Sequence, residues 1–171
     1  MTRAADRDWA PFQVCDEGAK PDRMRGLGSV EGIGDRLRTA AFQERMARDA
    51  FVWAEEGFSD ASDGLRKAWR ALISAESKHL GWLMQRMADL GVDPGERLVS
   101  AGLWRALVAC STAREFALIM ARAEERGRVA GEHLHASLVD VDPDSAVIFG
   151  RIAEEEVEHI ELAHRFFPPP R

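Results

Sequence analysis

The sequence predicts an all-α protein built from four long helices, with a long crossover between the second and the third. Three observations predict it. Apolar residues recur at helical spacing through four stretches, as in Leu72, Leu83, Phe149, Ile152, Ala163 and Phe166. Turn-forming clusters separate those stretches at 59–62, 91–95 and 141–144. A Glu-x-x-His pair lies inside the apolar face of the second helix and again inside that of the fourth, since Glu76 and His79 continue the Leu72/Leu83 face and Glu156 and His159 the Phe149/Ile152 face.

Residues 1–28 read as an irregular N-terminal arm, punctuated by Pro11, Gly18, Pro21, Gly26 and Gly28. Trp9 and Phe12 are expected to pin it to the helices, and no chemistry is legible in it. The first helix is expected from Ser29 to about Gly57, and the second from the capping turn at 59–62 to about Leu90. Gly91, Pro94 and Gly95 end it. A short helix is expected over 98–109. Thr112 with Glu115 forms a capping box that opens the third helix, which runs to about Leu138. The turn at 141–144 leads into the fourth, ending near Phe167, and Pro168 opens a tail over 168–171. The bundle thus occupies 29–167 as one domain. The segment of about 20 residues between the second and third helices is long enough to run the length of the bundle (the B–C crossover, lettering the helices A to D).

A carboxylate and an imidazole at core positions need compensation, because burying an unpaired carboxylate costs several kcal/mol. The spacing suggests how it arises. The differences 156 − 76 and 159 − 79 are both 80, and Glu44 and Glu124 are also 80 apart, each 32 residues before its Glu-x-x-His. Two Glu and two Glu-x-x-His pairs on four helices are the ligand set of a carboxylate-bridged dinuclear metal site. The candidate ligands are therefore Glu44, Glu76, His79, Glu124, Glu156 and His159.

Helical phase does not choose between Glu44 and Asp49 on the first helix. Antiparallel neighbours meet at equal distance from their shared turn, and the midpoint of 44 and 76 falls at residue 60, whereas that of 49 and 76 falls at the turn's far edge; this favours Glu44. A single Glu-x-x-His is weak evidence. The chain has 16 Glu and 5 His, and four of those His have a Glu three residues back, so the bland reading of one pair is a solvated acidic face. Glu132/His135 and Glu161/His164 fit that reading, having no partner at the 80-residue offset. His133, His135 and His164 are expected outside the site, as surface or structural histidines. The five Trp are expected to fill the core.

Composition removes several function classes. The 171 residues suit one domain with a substantial core, and a net charge of −6 gives no general nucleic-acid footprint. Arg122, Arg126 and Arg128 leave room for a local basic patch. Cys15 and Cys110, expected in a tail and near a helix start, form neither a zinc pattern nor a disulfide framework, which makes a reduced cytoplasm the default location. No apolar run approaches membrane-spanning length. With no Tyr in the chain, storage of an oxidising equivalent on a tyrosine is excluded.

The residues Phe42-Gln43-Glu44-Arg45-Met46-Ala47-Arg48-Asp49, Phe58-Ser59-Asp60-Ala61, Ala75-Glu76-Ser77-Lys78-His79, Gly102-Leu103-Trp104, Glu124-Glu125-Arg126-Gly127 and Glu155-Glu156-Val157-Glu158-His159 carry a resemblance to the ferritin-like superfamily. More narrowly, the chain resembles a bacterial family of ferritin-like di-iron carboxylate proteins of uncharacterised function, over about residues 20–167. The first-helix match departs from the family pattern, with Phe42 in place of a His and Asp49 in place of a Glu. The resemblance implies a ferritin-like four-helix bundle and a cofactor of two metal ions, iron by preference, although manganese or zinc suits the same ligands. Glu76 and Glu156 would bridge the metals, Glu44 with His79 and Glu124 with His159 would complete the two ends, and Glu155 would orient His79 from outside.

Such a site makes an oxidoreductase that uses O2 or peroxide on a small-molecule substrate the first expectation. The alternatives are an iron-binding or oxidant-removing protein without an organic substrate, an enzyme resembling the ferritin-like tRNA hydroxylases, which the net acidity disfavours, and a metal-free interaction module. A homo-oligomer is compatible with all of them, no membrane association is expected, and a large cavity beside the site would favour the first.

Overall fold

The computed structural model describes residues 7–168, so residues 1–6 of the arm and 169–171 of the predicted tail lie outside the described residues. Among the described residues the architecture is all-α: five helices and one two-residue parallel strand pair. Helix α1 (Val30–Gly57) begins where Ser29 accepts a hydrogen bond from the Gly32 N–H. Helix α2 (Asp63–Asp89) is capped in the same way by Ser62 at the Leu65 N–H. Both caps satisfy backbone donors that the first helical turn leaves unpaired. Helix α2 ends in a Schellman motif. Gly91 takes φ +68°, and the Val92 and Gly91 N–H groups donate to Met87 and Ala88 carbonyls.

Beyond it come the parallel pair β1 (Gln13–Val14) and β2 (Leu98–Val99), then helices α3 (Gly102–Val108), α4 (Ala113–Leu138) and α5 (Pro143–Phe166). The helix expected over 98–109 is therefore shorter. Residues 98–99 pair instead with the arm, a long-range hydrogen-bonded contact that local periodicity does not encode. At α4, Thr112 accepts from the Glu115 N–H, while the Glu115 carboxylate accepts from Ser111 rather than from the cap residue itself.

Helices α1 and α2 form one antiparallel hairpin, and α4 and α5 another; contacts within each hairpin far outnumber those between them. The crossover is fixed at both ends. Val92 packs against Gly34 at the start of α1, whereas the Ala113 N–H that opens α4 donates to Asp60 in the α1–α2 turn. The chain therefore travels the length of α2 between residues 90 and 112, and α4 runs parallel to α2 and antiparallel to α1. Within the second hairpin, α4 and α5 approach closely at Gly131, where a Cβ would lie 3.1 Å from the Phe149 carbonyl oxygen and 3.2 Å from the Ala153 Cβ.

Aromatic packing joins the hairpins at the end bearing the α1–α2 turn. The fully buried Phe116 ring of α4 lies 5.9 Å from Phe51, 5.6 Å from Phe58 and 5.3 Å from Trp69. Truncating a ring so placed costs about 3–5 kcal/mol. The arm is held in two ways. Phe12 is buried, and Trp9 meets Phe42 and Trp104 edge-on. Arg25 bonds the buried Asp35, which also receives Arg38 and Arg97. Arg25 and Arg97 outweigh the desolvation of Asp35 and hold its carboxyl well below the usual range. Among the described residues, no helix is long and apolar enough to cross a membrane.

Candidate metal centre

Each long helix delivers its part of the cluster at mid-length. Glu44 comes from α1, Glu76 and His79 from α2, Glu124 from α4, and Glu156 and His159 from α5. Within α2 and α5 the three-residue spacing places carboxylate and imidazole on one face. Ligand-type atoms of Glu44, Glu76, His79 and Glu156 all lie within 4.8 Å of one another, as do those of Glu76, Glu124 and His159. Glu76 belongs to both groups. His79 Nδ1 is 3.4 Å from Glu44 Oε2 and 3.6 Å from Glu156 Oε1, and His159 Nδ1 is 3.0 Å from Glu76 Oε1. The two imidazoles stack with centroids 5.7 Å apart.

The cluster is buried, with Glu76 1% and His79 0% exposed. Five of its buried polar atoms make no well-directed hydrogen bond, even where His159 Nδ1 and Glu76 Oε1 stand 3.0 Å apart: Glu76 Oε1, His79 Nδ1, Glu124 Oε1, Glu156 Oε2 and His159 Nδ1. Buried polar atoms are nearly always paired, so five orphans converging on one point need a common partner. Four carboxylates and two imidazoles are the donor set of a hard or borderline cation, and these groups could hold metal ions.

Without a cation the cluster compensates by holding protons. Burial pushes the Glu76 carboxyl well above its ordinary value, and the charges of Glu44, Glu156 and Glu124 push the same way. Glu124 is raised to about 8, first by burial and then by Glu156. Burial opposes the charged form of His79, but Glu156 and Glu44 outweigh it and lift the imidazole to about 10. His159 is raised for the same reason, by Glu156 and Glu124. Glu156 itself is lowered, because the two imidazoles offset its burial. A metal would replace those shared protons.

Outside the cluster, Glu155 Oε2 lies 2.8 Å from His79 Nε2 and 2.5 Å from Lys78 Nζ. With a cation bound, the Nε2–H would donate to Glu155 and leave the Nδ1 lone pair for the metal. Position 75 on α2, the counterpart of Glu155, is Ala. Trp82 covers His79 at a centroid distance of 5.6 Å and carries the Arg151 guanidinium 4.4 Å from its own ring centre.

Asp49 stands apart from the cluster. It is buried against Arg7, Arg45 and Arg48, which hold its carboxyl below the usual range in spite of its burial. Glu161 and His164 are exposed, Glu132 bonds Arg128, and His135 Nδ1 lies 2.8 Å from the Ala146 carbonyl oxygen. Arg128 is thereby committed to Glu125 and Glu132 rather than to a basic patch. Cys15 is buried just after β1, and Cys110 lies between α3 and α4; both are free thiols.

Beside the cluster a cavity of about 500 Å3 opens between α1 and α4. Glu44, Glu76, Glu124 and Glu156 form its floor, while the two imidazoles lie outside its lining. Its walls are mostly apolar, including Met120, Leu134, Phe149 and Ile152, with Leu103 from α3 and Met24 from the arm. The arm, in which no chemistry was legible, thus supplies one wall. His133, expected to lie away from the site because it is half a turn round α4 from Glu124, also lines this cavity, as do Arg36 and Arg126. The small residues Ala123, Gly127, Ala130 and Gly131, at helical spacing along α4, are the sequence signal that leaves the space open.

The chain belongs to the family described as "Protein of unknown function (DUF455)", which it matches over residues 11–169. No curated protein and no solved structure matches it.

Proposed function

We propose that the six side chains hold two metal ions, iron by preference, within a ferritin-like four-helix bundle, and that the protein is an oxidoreductase using O2 or peroxide on a small organic substrate. The observation that carries the reading is the set of five buried polar atoms without a well-directed hydrogen bond, converging from α2, α4 and α5. Four ionised carboxylates match the charge of two divalent cations, so the loaded cluster is neutral and its burial is no longer opposed. Two ferrous ions bound there supply two electrons for the reduction of O2 or peroxide.

The chain's own residues divide the remaining work. Glu76, common to both ligand groups, fits a bridging position. Glu155 fixes the tautomer and orientation of His79 through Nε2. The imidazoles sit away from the cavity and the carboxylates line it, so oxidant and substrate approach on the carboxylate side. Apolar walls limit water at the reacting face. A cavity of about 500 Å3 lies within the usual size range for small-molecule sites, which favours an organic substrate over simple oxidant removal.

Elemental analysis of protein purified from cells, followed by visible spectra after anaerobic ferrous loading and exposure to oxygen, tests the proposal. About two equivalents of metal and an oxygen-dependent absorption change are expected. Protein that carries no metal and takes up none overturns it.

A further inference from the structure

Resting on the metal-centre reading, we infer that the cavity between α1 and α4 takes an amphipathic organic anion, its apolar body against the walls and its charged head at the end remote from the carboxylates. The argument begins with charge. Among the described residues, Glu44, Glu76, Glu124 and Glu156 are the only acids lining the cavity, and two divalent cations would neutralise them. What remains are two cations, Arg36 and Arg126, with the imidazole of His133. On α1, Arg38, Arg45 and Arg48 each pair with a carboxylate, whereas Arg36 donates only to the Arg25 and Gly32 carbonyls. Among the described residues, neither Arg36 nor Arg126 has a carboxylate partner. Two guanidinium groups on one cavity without a carboxylate partner are available to an incoming anion once the cluster acids are neutralised.

Position gives the ligand its shape. Arg36 precedes Glu44 by eight residues, about 12 Å along α1, and His133 follows Glu124 by nine, about 14 Å along α4. Because α1 and α4 are antiparallel, both displacements run toward the same end of the molecule. Between that end and the floor the lining is mostly apolar or small, with Ala40, Ala130 and Phe149 among it, and Thr39 and Gln43 add uncharged polar groups. Arg126, two residues past Glu124 on α4 and exposed, stands nearer the floor. A ligand with its head near Arg36 and an apolar body of about 10 Å would present its far end to the carboxylates.

The test uses full-length, zinc-loaded protein, which is redox-silent, with octanoate, octyl phosphate and 1-octanol titrated calorimetrically. At least one of the anions is expected to bind at least tenfold more tightly than octanol, the better of the two distinguishing a carboxylate from a phosphate head. Arg36→Met should remove most of that preference without changing octanol affinity, and Arg126→Met, at an exposed position that folding does not depend on, should reduce it. Equal affinity for anion and alcohol, or a preference untouched in both variants, overturns the inference. So does tight binding of transfer RNA with no binding of either anion. Elemental analysis precedes the titrations: protein that takes up neither zinc nor, anaerobically, ferrous iron sinks the metal reading and this inference together, whereas metal uptake without anion preference sinks this inference alone.

Discussion

Glu76→Gln isolates the metal's contribution to stability. The substitution keeps the side chain's size, so it opens no cavity. It also costs the metal-free fold little, because burial and three neighbouring carboxylates already disfavour the charged form of Glu76. Its effect falls on the loaded state, since Glu76 belongs to both ligand groups and an amide neither neutralises nor bridges cations. A metal that binds only the folded chain stabilises it by about 2.7 kcal/mol at a hundredfold excess over Kd. For a domain of this length that raises Tm by about 5–11 °C. Calorimetric melting of the parent with and without ferrous iron or manganese should show this shift, and Glu76→Gln should lose nearly all of it. Glu44→Gln, which touches one group, should lose less. Glu161→Gln, exposed on α5, should lose none. An unchanged shift in Glu76→Gln, or an equal loss in Glu161→Gln, refutes the reasoning.

Three further outcomes are expected. Glu155→Ala should weaken metal binding about 10–100-fold by freeing the His79 ring, while Glu154→Ala should not; competition with a chromophoric chelator measures both. The metal-free protein should lose stability as pH rises from the ordinary carboxyl value of 4.5 through about 8 for Glu124, and onward to about 10 for His79. Across that range the folded state holds protons that the unfolded chain has released, so the slope is negative; urea midpoints at pH 5, 7 and 9 that stay level or rise would contradict it. Asp35→Ala strips the buried Arg38 of one of its two acidic partners and should cost about 3–5 kcal/mol in denaturant titrations, with a loss under about 1 kcal/mol counting against the arginine hub.

The helices were legible because their signals are local. Ser29, Ser62 and Thr112 cap where their side chains predict, and Gly91 stops α2 by adopting positive φ. The six clustered side chains were legible because the turns at 59–62 and 141–144 set where each hairpin's helices meet, which also separates Glu44 from Asp49. Asp49 is buried too, but Arg7 reaches it from 42 residues away, a partner that helical phase cannot supply. The strand pair at 13–14 and 98–99 escaped for a related reason, since its hydrogen bonds join segments with no shared period. The cavity escaped because small residues on α4 signal close packing or empty space equally well, and only the separation from α1 decides.

The division of the candidate ligands between the hairpins bears on how the molecule assembles. The first hairpin carries Glu44, Glu76 and His79, the second Glu124, Glu156 and His159, and each ligand group draws on both. Within a hairpin the contacting residues are separated by one short turn, whereas docking the two must also close the loop formed by residues 90–112. The hairpins are therefore expected to form early and to dock late. Until docking, neither complete group exists, and the four carboxylates are not yet crowded together. A chain emerging from the ribosome would present its first three ligands without a finished site, and metal capture would wait for the last helix to arrive.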